Sequence, residues 1–297
     1  MRPGIIGVSQ KIPGLALILL LVGACAIAFA PILVRISELP PVATAFYRLA
    51  LAAPVLLLVL AWPTSPPQPV SRRGIWWIIL AGLAFAGDLG FWHLSIVYTS
   101  VANATLFANF APVIVTAVAW LWLGERVRPL FLVALLLALT GASLLIQSSR
   151  MLSPTHVIGD LYGLITAVFY AAYLIAIKLA RAHYGTWPVM AGSTLVGALA
   201  LLPFAWIMDG VIWAQTLSGW LVLWALALLV HIGGQGLIAR AMADLPASFS
   251  SLALLLQPAV AAALAWMLFG EALTVLQLAG AVAILSGVLL ARFSSYA

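Results

Sequence analysis

The sequence predicts an all-α membrane protein, with ten transmembrane helices arranged as two inverted five-helix repeats. Three observations carry that reading: a composition too apolar for water, ten apolar stretches of spanning length, and an internal repeat with an odd number of spans per half. Of 297 residues, 65% are hydrophobic and 7% are charged, and mean hydropathy is +1.20. Soluble domains carry about 25% charged residues. Thirteen basic and seven acidic side chains cannot cover a water-facing surface of this size, so lipid is the main solvent.

A helix needs about 20 apolar residues to cross about 30 Å of hydrocarbon. Divided at polar and turn-forming residues, the sequence gives helices near 13–36, 42–62, 74–96, 100–123, 129–147, 159–182, 187–208, 218–240, 247–269 and 274–292. In the first, residues 21–25 are similar to a lipoprotein processing site, but the apolar run continues to Val34. That is longer than a signal h-region of about 7–15 residues, so Cys25 belongs to a span. The second starts beside Pro40 and Pro41 and ends at a stiff, proline-rich connector over 63–74. The third and fourth meet at 96–100 with almost no loop. Pro129, Pro188 and Pro246 stand near the starts of the fifth, seventh and ninth, where a missing N–H costs nothing. Residues 147–160 separate the halves, and the eighth and ninth spans meet at 244–247.

The net charge is +6, but the basic residues occur singly or in pairs. Without a basic stripe and interleaved aromatics, nucleic-acid binding is excluded. With a cytoplasmic N-terminus, Arg2, Lys11, Arg72, Arg73, Arg126, Arg128, Lys178, Arg181, Arg240 and Arg292 fall at cytoplasmic ends, against Arg35 and Arg150 outside. Arg48 lies within a span. This positive-inside bias predicts a multi-pass protein of the bacterial cell inner membrane with both termini cytoplasmic. The single cysteine excludes an intramolecular disulfide.

An offset of 146 residues carries Pro112 onto Pro258, Trp120 onto Trp266, Gly124-Glu125 onto Gly270-Glu271 and Gly141 onto Gly287. Leucine and alanine matches alone mean little in so apolar a chain, whereas these coincidences at one offset mark a repeat. Five spans per half is odd, so the halves cross the membrane in opposite senses. Inverted repeats of this kind serve alternating access.

Two five-helix halves, each ending in Pro…Trp…Gly-Glu before a span with a central Gly, resemble the EamA-type branch of the drug/metabolite transporter superfamily. Residues 100–112 leading to Trp122-Leu123-Gly124-Glu125 are similar to that family's fourth span. Arg48 stands where the family often has an arginine early in the second. The aromatic-rich spans resemble, within that branch, aromatic amino acid exporters of the YddG type. The resemblance implies one repeat over 1–150 and a second over 151–297. It also implies a central cavity lined mainly by spans 1, 3, 4, 6, 8 and 9, and export of metabolites.

An ionisable group inside a span costs about 2.5–3.5 kcal/mol on insertion scales, so each is a functional candidate. Asp88 lies in the third span with Trp92 and Ser95 on its face, His93 nearby, and Tyr98 at the span's end. It is a candidate proton carrier or partner for a substrate ammonium; an internal pair with Arg48 is the structural alternative. Tyr162, Thr166, Tyr170 and Tyr173 share one face of the sixth span. Their polar tips and rings suit an amino-acid-sized ligand, with helix packing as the alternative. Lys178 either binds a carboxylate or snorkels. His231 and Gln235, beside Gly233, Gly234 and Gly236, either bind substrate or hydrogen-bond between helices. Thr105 and Asn109 share a face of the fourth span. The predicted substrate-binding set is thus Asp88, Trp92, His93, Tyr98, Thr105, Asn109, Tyr170, Tyr173, Lys178, His231 and Gln235. Pro112 and Pro258 are expected to kink their helices and mark moving parts. Glu125 and Glu271 are expected to fasten local backbone N–H groups, and Gly159 and Gly163 to pack helices.

The sequence has no His/Cys cluster with metal-ligand spacing and no phosphate-binding loop. It predicts no enzyme, no metal and no cofactor. The expected function is secondary or facilitative export of amino acids, aromatic ones among them, or related small metabolites, by a functional monomer in the lipid bilayer. A proton-coupled exporter of lipophilic cationic drugs is the alternative. That function requires a cavity-facing acid without a cationic partner. A membrane enzyme acting on a lipid-linked substrate needs carboxylates or histidines gathered at one surface, and the loops nearly lack them. A scaffold gives no reason for polar faces on spans 3, 6 and 8.

Overall fold

Proline decides where the apolar stretches break. The computed structural model describes residues 13–61, 70–99, 101–146, 154–210, 213–270 and 273–294, and among them all regular structure is helical. α1 (Gly14–Ile27) gives way to α2 (Ala30–Arg35) three residues before Pro31. α3 (Pro41–Ala50) and α4 (Ala52–Ala61) part at Leu51, before Pro54. After the unbroken α5 (Arg72–Tyr98), α6 (Val101–Ala108) and α7 (Ala111–Leu121) part before Pro112. α13 (Ala247–Ala253) and α14 (Leu256–Phe269) part before Pro258. A proline has no N–H for the carbonyl four residues back, and its ring clashes with that carbonyl. Pro203 is the exception, sitting inside a continuous helix.

The remaining helices are α8 (Pro129–Ile146), α9 (Pro154–Arg181), α10 (Thr186–Asp209), α11 (Leu217–Ala225), α12 (Gly236–Ala241) and α15 (Val275–Ser294). α11 and α12 are joined by a π-helical segment, Leu226–Gln235. Among the described residues, eight helical stretches are long and apolar enough to cross a membrane. Ten were expected. The predicted fourth span is divided by the break before Pro112, and the apolar part of the fifth (Pro129–Leu145) is shorter than the others.

Glycine sets the closest approach. A Cβ on Gly141 would lie 2.6 Å from the Gly280 carbonyl, and one on Gly280 would lie 2.6 Å from the Gly141 carbonyl. A Cβ on Gly287 would lie 2.8 Å from the Ala134 carbonyl, so α8 and α15 meet backbone to backbone. Gly159 of α9 meets the Thr99 backbone in the same way, and Gly163 leaves room for the Phe107 side chain. Gly270 caps α14 and Gly124 stands in the turn after α7, with φ of 67° and 71°, a conformation that side chains disfavour.

The connectors fall into two groups by their contacts. At the end where α1 begins and α15 finishes, here the terminal end, Tyr184 Oη accepts from Ser71 N at 2.7 Å and donates to Ser71 O at 3.2 Å. At the far end, Glu38 accepts from Gln215 N at 3.1 Å, Thr216 N at 3.2 Å and the Thr216 hydroxyl. Also at the far end, Asp209 caps α3 by accepting from Ala43 N at 2.6 Å.

The hydrogen bond from the Thr216 hydroxyl is the main cause holding the Glu38 carboxyl below its ordinary range, with the backbone bonds adding to it and desolvation opposing. A depressed carboxylate contributes order above its unfolded pKa and loses it as pH falls through the folded value. Amide exchange at 215–219 should therefore accelerate below about pH 4. Glu38→Gln should show faster exchange already at neutral pH and no such pH step. A step of equal size in the variant would remove Glu38 as its cause.

Candidate functional site

Three of the proline breaks face one another, and a cavity of about 110 Å³ opens between them. The α1–α2 break contributes Ile27, Ala28, Ala30 and Pro31; the α6–α7 break contributes Thr105, Ala108 and Asn109; the α13–α14 break contributes Gln257, Pro258 and Ala261. Phe85, Asp88, Leu89 and Trp92 line it from one face of α5, Thr166 and Tyr170 from α9, Gln235 from the π-helical segment and Arg48 from α3. Spacings of 3, 4 and 7 on α5, and of 4 on α9, put these side chains on single helical stripes. A broken helix also leaves backbone carbonyls without donors. Pro112 cannot serve the carbonyl of Ala108, which lines the cavity.

Arg48 and Asp88 are the two formally charged side chains on this lining, at 4% and 8% exposure. They attract one another across the cavity, yet do not close to the 4.0 Å of an ion pair. The Arg48 guanidinium lies over the Phe85 ring, 5.5 Å from its centroid, and its Nε is buried without a hydrogen-bond partner. Buried amide atoms of Asn109, Gln235 and Gln257 also lack partners. The Tyr170 hydroxyl and the Gln257 amide lie beside each other without reaching hydrogen-bond geometry. Buried polar groups are normally paired, so this concentration of open donors and acceptors around one cavity makes it the candidate ligand site.

Six of the predicted binding residues share this cavity: Asp88, Trp92, Thr105, Asn109, Tyr170 and Gln235. Five lie elsewhere. Tyr173 and His231 stand behind the wall, stacked on Phe85 with ring centroids at 4.5 and 5.3 Å. His231 Nε2 is 2.7 Å from the Thr194 hydroxyl. His93 Nδ1 bonds the Leu89 carbonyl at 2.7 Å, and Tyr98 is 43% exposed at the far end of α5. Lys178 neither snorkels nor lines the cavity. It donates to Met242 O at 3.0 Å and to Leu245 O, securing the turn between α12 and α13. Pro258 lines the cavity, whereas Pro112 is buried away from it.

Arg48, Phe85, Thr166 and Gln257 also line the cavity and lie outside the predicted set. Thr166 was visible as part of the α9 stripe, and Arg48 as a charge inside a span. Gln257 stands directly before Pro258, and that adjacency was its one available signal. Among the described residues no group of three or more His, Cys, Asp or Glu could hold a metal.

Glu125 serves a distant backbone rather than a local one. From the connector after α7 it accepts from Ala247 N at 2.6 Å, Ser248 N at 3.1 Å and Ser248 Oγ at 2.5 Å. One carboxylate thus ties the two parts of the chain together at the terminal end. Glu271 lies outside the described residues.

The EamA-like transporter family model matches this chain twice, over residues 14–147 and 157–293. The pseudopaline exporter CntI of Pseudomonas aeruginosa (strain UCBPP-PA14) is 26% identical over 248 residues, 84% of each chain. An uncharacterized inner membrane transporter of Salmonella typhimurium, YicL, is 33% identical over 208 residues, 68% of this chain and 67% of its own. A solved crystal structure superposes with a TM-score of 0.81 at 18% identity, covering 94% of this chain and 97% of the other, which is a likeness of fold. With its helices of spanning length and both matches to one family model, the chain is a multi-pass membrane transporter and belongs to the EamA-like transporter family.

Proposed function

We propose that the chain exports amino acids, aromatic ones among them, or related small metabolites across the inner membrane by secondary or facilitative alternating access. The observation that carries this is the cavity itself. One guanidinium, one carboxylate, three amides and the rings of Phe85, Trp92 and Tyr170 converge where three helices are broken. The charged groups suit the polar ends of an amino acid, and the rings suit an apolar side chain. One relative, the pseudopaline exporter CntI, supports the direction. A lipophilic cation is disfavoured by Arg48, a like charge on the same lining.

In this reading the chain forms ten spans, with repeats over 1–150 and 151–297 crossing the membrane in opposite senses and both termini in the cytoplasm. Contacts that exchange under the 146-residue offset support it. Gly141 against Gly280 becomes Gly287 against Ala134. Glu38 on Thr216 becomes Tyr184 on Ser71, within one residue of register. The breaks before Pro112 and Pro258 act as hinges, and the Glu125 bonds close the cytoplasmic side. One chain supplies the whole pathway, so a monomer suffices, with no metal or cofactor.

Counterflow by purified protein in liposomes, screening labelled amino acids against tetraphenylphosphonium, tests the reading. Saturable exchange of amino acids, strongest with aromatic ones, is expected. Exchange of the cation with none of any amino acid would overturn it.

A further inference from the structure

We propose that the cavity recognises its substrate as a zwitterion, with Arg48 as the seat of the free carboxylate and Asp88 as the seat of the ammonium. This rests on the amino-acid reading above and goes beyond it by making both charged groups of the ligand obligatory. An arginine side chain stays charged in proteins, and a guanidinium presents a planar fork matched to a carboxylate. Arg48 is buried on the cavity wall, its Nε has no partner, and among the described residues no acidic side chain comes within ion-pair distance. Burying a charge is costly unless it is paired. A counter-charge arriving with the substrate supplies what the protein lacks. Asp88, on the same lining, is the mirror case. The two attract one another without meeting, so the cavity holds a separated positive and negative group.

The positive group is also held in place. Its guanidinium rests on Phe85, and Phe85 is backed by Tyr173 and by His231, which the Thr194 hydroxyl anchors. That stack resists collapse of Arg48 onto Asp88 and holds the guanidinium at the cavity lining. A monovalent cation would satisfy Asp88 and leave Arg48 facing a like charge. A simple carboxylic acid would do the reverse. A zwitterion satisfies both.

The test uses the full chain in liposomes, with labelled phenylalanine as the exchanged probe, or the best-exchanged amino acid of the preceding screen. Unlabelled phenylalanine, phenylalaninamide, phenethylamine and 3-phenylpropionate serve as competitors. On the wild-type protein, each analogue lacking one charge should compete at least about tenfold more weakly than phenylalanine. Arg48→Gln should raise the half-saturating phenylalanine concentration about tenfold or more while leaving phenethylamine competition unchanged. Asp88→Asn should raise it likewise while leaving 3-phenylpropionate competition unchanged. Equal competition by phenethylamine and phenylalanine would overturn the carboxylate seat, and equal competition by 3-phenylpropionate would overturn the ammonium seat. Both results leave amino-acid transport standing. The wild-type competition series decides the matter even where a variant fails to fold. Exchange of no amino acid at all removes the transport reading and this inference together.

Discussion

Replacing Glu125 by alanine is expected to open the terminal end of the protein and lower its thermal stability. The carboxylate accepts three hydrogen bonds from Ala247 and Ser248, and both residues are buried. Their N–H groups start α13, where the first turn has no intrahelical acceptors to offer. Leaving a buried donor unpaired costs about 1–3 kcal/mol, and water entering the gap offsets part of it. A net loss of about 2 kcal/mol shifts a two-state equilibrium roughly thirtyfold. Because these bonds join the two parts of the chain, the proposed alternating access requires them to break whenever the terminal end opens. Their loss should therefore favour that open state. Ser251, buried in α13, is a suitable reporter. In a Cys25→Ala background, maleimide labelling of Ser251→Cys should rise about tenfold or more with Glu125→Ala. Ser248→Ala removes one bond and should give a smaller rise, and Glu125→Gln should fall between. Unchanged labelling together with an unchanged melting temperature would show that the bonds do not hold the end closed.

How much of this was legible in the sequence depends on whether a signal is periodic. The hydropathy boundaries at 42–62 and 187–208 lie within one residue of Pro41–Ala61 and Thr186–Asp209, because apolar runs mark depth directly. The stripes on α5 and α9 were legible for the same reason, and they bring Asp88, Trp92, Thr166 and Tyr170 to one wall. Periodicity gives a face, however, and not what the face meets. His231 and Gln235 share a face, yet Gln235 reaches the cavity while His231 turns to Thr194 and Phe85. Lys178 and Glu125 find backbone atoms as partners, and backbone atoms leave no trace in a side-chain pattern. Pro31 and Pro54 break helices as Pro112 does, but Pro203 does not. Local chemistry thus licenses a break, and packing decides whether it occurs.

Placing any side chain at Gly141 or Gly280 should have the largest structural effect in the molecule. A Cβ at either lies 2.6 Å from the other's carbonyl oxygen, with further backbone nitrogens of Ile284 at 2.8 Å and Leu145 at 3.0 Å. A clash with a flexible side chain relaxes by a rotamer change, but backbone atoms of two packed helices move only together. Overpacking costs about 1–3 kcal/mol where neighbours can shift, and here α8 must separate from α15. Between lipid-embedded helices, association depends on close van der Waals contact rather than exclusion of water. A separation of even a few tenths of an ångström is felt along the whole contact. Gly141→Leu and Gly280→Leu should fail to give a monodisperse peak on detergent size-exclusion chromatography, and Gly141→Ala should melt well below the wild type. Gly90→Ala is the matched control: its Cβ would meet only a Leu201 methyl at 3.7 Å, an ordinary contact. Equal melting temperatures for Gly141→Ala and Gly90→Ala would show that α8 and α15 do not depend on backbone contact.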